Sequence, residues 1–152
     1  MINKIIFLVT GFFSFLAQSQ QVIIEDLNAD KIKDTLSYKC YKVDSSLGIS
    51  EPTCKCKVVT GKFNKKYNFS IFYISDITIS SCGTGCISIF DTSKDTEYTN
   101  EYLYSKKYDN WILIKNETRY NYENGRTENN LSKNYLLGID GKKYTSYRKK
   151  KK

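Results

Sequence analysis

Tyr67-Asn68-Phe69-Ser70-Ile71-Phe72-Tyr73-Ile74 is the stretch that decides the fold. Rings and β-branched side chains crowd together there as they do on a pleated, half-buried surface. The same texture extends both ways along the chain. Residues 22–25, 35–43 and 54–60 before it read as strands, as do 77–81, 87–90, 97–104, 111–115 and 118–123 after it. No window sustains an apolar stripe at 3.6 residues, so helix should be nearly absent. Gly61 marks one turn, and Asn124-Gly125 and Asp140-Gly141 supply the residues that a two-residue type I′ hairpin needs. They predict pairing of 118–123 with 126–131 and of 135–139 with 142–147. The expectation is an all-β protein, an antiparallel sandwich or a barrel- or propeller-like sheet of about nine to twelve short strands.

The chain has 152 residues, and the first nineteen read as a signal peptide. Lys4 supplies a positive start, residues 5–16 an apolar run, and Ala17-Gln18-Ser19 a small-x-small cleavage pattern. The apolar run is shorter than the roughly 20 residues needed to span a bilayer. Residues 20–147 then form a single all-β domain, which predicts a protein of the periplasm or cell exterior with no transmembrane segment after cleavage. The formal charge of +8 is concentrated at the ends: Lys4 and the run from Arg148 to Lys152 hold six of the positive charges, leaving about +2 in the body. The run at 148–152 should repel itself into a disordered tail. It could also lean on an anionic surface. Nucleic acid is not an expected partner, because the body lacks an aromatic-plus-basic RNA motif.

Five cysteines, Cys40, Cys54, Cys56, Cys82 and Cys86, fit an oxidising compartment and must leave one unpaired. Cys82-Gly83-Thr84-Gly85-Cys86 is the expected bridge, since two glycines let a short loop close. Cys54 and Cys56 share one face of a strand about 6.6 Å apart, at the edge of disulfide reach, so each should bond elsewhere, with Cys40 one candidate. A four-thiolate zinc site would need other spacings.

Chemistry is constrained by what is missing. The chain has no histidine, which removes the usual general base and the triads built on it. A carboxylate-pair hydrolase needs only two of the sixteen acidic residues, so it stays open. Tyr98, Tyr102 and Tyr104 alternate onto one strand face, where they could stack on a flat ligand or pack across strands.

Asp26-Leu27-Asn28-Ala29-Asp30-Lys31-Ile32-Lys33-Asp34 places side-chain oxygens at alternate positions. Asp26, Asn28, Asp30 and Asp34, with the carbonyl of Ile32, would supply most of the six to eight oxygens that Ca²⁺ takes. Position 6 is Lys31 and position 12 is Ser37, unlike an EF-hand. A metal-free Asx-turn could use the same oxygens. The stretch resembles the loops of exported FG-GAP/VCBS-type β-proteins. Together with Thr35-Leu36 and Tyr108-Asp109-Asn110-Trp111-Ile112-Leu113, it resembles periplasmic calcium-loop β-proteins related to bacterial lysozyme inhibitors and secretion-system immunity proteins. That resemblance implies a structural Ca²⁺ and a protein partner in the envelope or exterior, with an inhibitor or immunity role. The other expectation is an envelope- or glycan-associating module using the tyrosine-bearing strands and the tail.

Overall fold

A computed structural model describes residues 20–122 and 125–145. Eleven strands and one 3-10 turn account for its regular structure, with no α-helix among the described residues. The first sheet is a four-stranded meander of β1 (Gln21–Glu25), β2 (Asp34–Tyr41), β3 (Thr53–Val59) and β4 (Lys66–Phe72). The second is a five-stranded meander of β5 (Asp76–Gly83), β6 (Cys86–Ser93), β7 (Thr96–Ser105), β8 (Asn110–Tyr120) and β9 (Arg126–Asn129). β10 (Tyr135–Leu137) and β11 (Lys143–Thr145) form a small hairpin, and all pairings are antiparallel.

Strand parity explains the packing. In β2, β3 and β4 every second residue is buried: Leu36 and Tyr38, Cys54, Cys56 and Val58, Phe69 and Ile71. They join Ile79, Ile87, Ile89 and Trp111 of the second sheet in one core, which makes the molecule a β-sandwich. The apolar alternation that predicted strands is thus also the rule that sorts core from surface.

Three expectations change in detail. Residues 111–115 and 118–123 were expected as two strands, but β8 runs unbroken through Asn110–Tyr120 and absorbs the irregularity as a bulge. Glu101 pairs with Lys115 and Tyr102 with Leu113, so Ile114 is left over. The β8–β9 hairpin forms as expected, but Tyr120 pairs with Arg126, so five residues separate the strands rather than two. Asn124 lies outside the described residues, and Gly125 has φ 75°. The β10–β11 hairpin also forms with a longer loop. Gly138 N–H donates to Lys142 O at 2.8 Å and Gly141 has φ 79°, giving a three-residue loop with its glycine in the left-handed position. The cause is tertiary. Ile139 is buried and its N–H donates to Trp111 O at 2.8 Å, which takes Ile139 out of the ladder and into the core.

Disulfides join Cys82 to Cys86 and Cys40 to Cys54, each within one sheet. Cys40 and Cys54 are direct cross-strand partners. Cys56 is the free thiol, buried, with burial pushing it up to about 12. Four of the five thiols are therefore committed to disulfides, which removes the zinc reading. No described helix is long and apolar enough to cross a membrane. The expected signal peptide and the basic tail at 148–152 lie outside the described residues.

Candidate functional site

The turn from Asp26 to Asp34 sits at one end of the sandwich, where it connects β1 to β2. Left-handed backbone at Ala29 (φ 60°) and Lys31 (φ 70°) curls it tightly. Asp26 accepts the N–H groups of Asp30 at 3.2 Å and Lys31 at 2.9 Å. Asn28 Oδ1 accepts Asp30 N–H at 3.1 Å, and Asp30 accepts Ile32 N–H at 2.9 Å and Asn28 Nδ2 at 3.2 Å. The structure thus brings Asp26, Asn28 and Asp30 together as a series of Asx turns. Asp34 does not join them. It is fully buried and accepts the N–H of Leu27 and the N–H of Gly61, both at 2.9 Å. Burial raises its carboxyl above the ordinary value, against the two N–H bonds, and the charges of Asp30 and Asp26 raise it further. Ile32 lies on the surface of the turn. Among the described residues no trio of His, Cys, Asp or Glu gathers to hold a metal. Asp26, Asn28 and Asp30 are oxygen donors of the kind Ca²⁺ takes, and each is also engaged with the backbone of its own turn.

Asp34 does something the sequence did not suggest. By binding both Leu27 N–H and Gly61 N–H it ties this turn to the β3–β4 turn. Gly61 is required there, because a Cβ would lie 2.3 Å from Lys33 O and 2.7 Å from Ile32 Cγ2.

Trp111 lies beneath this end, fully buried, with its indole N–H donating to Leu27 O at 2.5 Å. Tyr67 and Tyr104 meet its ring edge-on at 5.0 and 5.1 Å. Their hydroxyls both donate to Asp109 Oδ1, at 2.7 and 2.8 Å, and Lys65 pairs with Asp109 Oδ2. Asp109 adopts φ 50°, a conformation that Asp tolerates better than most residues. Burial pushes its carboxyl up, but the bonds from Lys65, Tyr67 and Tyr104 outweigh that and hold it below the ordinary value. Burial is also the main reason Tyr67 is raised to about 12 and Tyr104 higher still. Asp140 is likewise lowered: burial opposes, and bonds from Lys142 and Asn110 prevail.

Asp109 and Asp140 line one recess of about 320 Å³. A glycosidase acid must keep its proton near neutrality, which requires a raised carboxyl beside an ionised one. Here both are lowered, each by its own lysine, so the pair is poorly suited to acid catalysis.

The tyrosines expected as a ligand platform point elsewhere. Tyr102 and Tyr104 pack against the core, and Tyr98 is half-buried opposite Asp91 and Thr118. Packing claims the rings of Tyr102 and Tyr104.

Whole-chain charge concealed a surface feature. The outward positions of β2, β3 and β4 carry Lys39, Lys55, Lys57 and Lys66, with no acidic residue among them. Lys39 stands directly opposite Lys55, and both ammonium groups lie over the Tyr41 ring, at 5.4 and 5.8 Å. None of the four lysines has an ion pair among the described residues. The second sheet is the opposite case: Glu101 faces Lys115 and Glu97 faces Arg119 across the ladder, with ion pairs at 3.6 and 3.9 Å. Parity would have found the lysine face, since all four alternate with buried apolar residues.

Comparison with family models, with characterised proteins and with solved structures returns no match.

Proposed function

We propose that this chain is an exported, non-catalytic binding module of the periplasm or cell exterior that associates with an anionic surface of the envelope. The observation that carries this reading is the division of charge between the two sheets. One outward face pairs both of its basic residues with glutamates, whereas the other holds four lysines with no ion pair among the described residues and sets Lys39 against Lys55. Like charges directly opposite destabilise a sheet. A polyanionic partner would relieve that repulsion. The two disulfides and the signal-like stretch at 1–19 support an oxidising destination.

An inhibitor or immunity role through this face calls for an acidic target, because a basic one such as a lysozyme would be repelled. The turn from Asp26 to Asp34 acts in this reading as a brace. Ca²⁺ there would be structural, held by Asp26, Asn28 and Asp30, and would show itself only as added stability.

The test is pelleting of the purified protein with envelope fragments at ~0.01 M and ~1 M salt, where the Debye length falls from about 30 to 3 Å. Association that high salt releases is expected. No association at low salt, or association indifferent to salt, would overturn the proposal.

A further inference from the structure

The two turns that Asp34 ties together share a composition. One carries Lys31-Ile32-Lys33 and the other Lys62-Phe63-Asn64-Lys65-Lys66. Each presents an apolar side chain between lysines. Phe63 is 74% exposed, the most of any large hydrophobic among the described residues, and Ile32 is 42% exposed. Ile32 Cγ2 reaches to within 2.7 Å of where a Gly61 Cβ would stand, so the two turns touch at a point two residues from Phe63.

Neither tip is a loose loop. Thr60 N–H donates to Lys65 O at 2.9 Å, Asn64 N–H to Thr60 O at 2.9 Å, and Lys65 N–H to Thr60 Oγ1 at 3.0 Å. Asn64 closes the turn with φ 51°. A rigid turn loses little conformational entropy when it binds, so the exposure of Phe63 is built into the fold. Lys62 lies over the Phe63 ring at 5.3 Å, and Lys106 of the β7–β8 turn lines the same recess. Asp30 and Asp109 line this recess too, but the carboxylates nearby are already engaged: Asp26 and Asp30 with backbone N–H groups, buried Asp34 with Leu27 and Gly61, and Asp109 with Lys65 and two tyrosines. Lys66 joins this end to the lysine face.

We propose that these paired tips dock on a lipid bilayer bearing anionic headgroups, with Phe63 and Ile32 entering the interface and the surrounding lysines contacting the headgroups. The proposal rests on the anionic-surface reading and names the surface. Apolar side chains rimmed by lysines match the two layers of such a membrane: acyl chains below, phosphates above. A soluble acidic glycan would reward the lysines and could stack a sugar face on Phe63, but it would give the aliphatic Ile32 no apolar partner, which is why lipid is favoured.

The test is co-sedimentation of the oxidised protein with vesicles of phosphatidylcholine alone and with about 30% phosphatidylglycerol. Binding is expected only to the anionic vesicles. Phe63→Ser should weaken it roughly tenfold, and Lys62→Gln about fivefold, the worth of one basic residue near the surface. Lys94→Gln, on the β6–β7 turn, should leave it unchanged. Thermal melts of the Phe63→Ser and Ile32→Ser variants should match the parent, which separates lost contact from lost fold. No binding to anionic vesicles, or full binding by Phe63→Ser with Ile32→Ser, would overturn the lipid proposal. If envelope fragments still pellet the protein in that case, the anionic-surface reading stands with a glycan or acidic protein as partner. If they do not, both fall.

Discussion

Replacing Asp34 with alanine tests the claim that one buried carboxylate holds two turns together. The side chain accepts two backbone N–H groups at 2.9 Å, and its removal leaves both without an acceptor. The Leu27 N–H is fully buried, so orphaning it costs about 1–3 kcal/mol. The Gly61 N–H is partly accessible to water and costs about 0.5–1.5 kcal/mol. Removing a charge raised by Asp30 and Asp26 returns some of this. A net loss of about 2–3 kcal/mol follows, equivalent to roughly 8–12 °C for a domain of this size. Trp111 is the single tryptophan, and its indole donates to Leu27 O, so its fluorescence reports on the same turn during urea or thermal unfolding. Asp34→Asn, which retains one acceptor, should lose about half as much. An Asp34→Ala melting point within about 2 °C of the parent would refute the assignment of Asp34 as the tie.

A structural Ca²⁺ at Asp26, Asn28 and Asp30 requires a higher melting point in millimolar Ca²⁺ than in chelator, by mass action on the folded state; equal melting points would sink the ion. Asp109 is lowered in the fold, so the stability it contributes is present above the ordinary carboxylate value of 3.8 and is lost as pH falls through its own lower value. Asp109→Asn should flatten that acid limb in a series of melts against pH. Tyr67 is raised from 10.0 to about 12, so its contribution is whole below pH 10 and is lost as pH rises through 12, a limb that Tyr67→Phe should weaken. The buried thiol of Cys56 should ignore Ellman's reagent in the native protein and titrate as one equivalent in denaturant; reaction in the native state would contradict its burial.

The fold was legible because its strands are half-buried, which prints the core onto the chain as alternation. Leu36, Tyr38, Val58, Phe69 and Ile71 all sit on the parity that the aromatic and β-branched runs announce. The Cys82–Cys86 bridge follows from the glycines between the two cysteines, whereas the meander order of the strands was not read from the sequence. Turn lengths were not legible: Asp140-Gly141 carries a two-residue signal, and only the bond from Ile139 to Trp111 O lengthens the loop. The same limit applies to 26–34. Its alternating oxygens are plain in the sequence, but that Asp34 turns away to Gly61, twenty-seven residues on, is a tertiary fact. Lys39, Lys55, Lys57 and Lys66 vanish in a sum over the chain and emerge only when each strand is split into its two faces.

Both disulfides close within a single meander, and neither crosses between the sheets. For a chain that emerges from a translocation pore N-terminus first, this makes oxidation a sequential event. Cys40 and Cys54 can bond as soon as fourteen further residues have followed Cys40 out, and Cys86 trails Cys82 by four. No cysteine must wait for a partner at the far end of the chain. The nearest competition is local, between Cys54 and Cys56 for Cys40, and the β2–β3 register settles it by setting Cys54 opposite Cys40 and Tyr38 opposite Cys56.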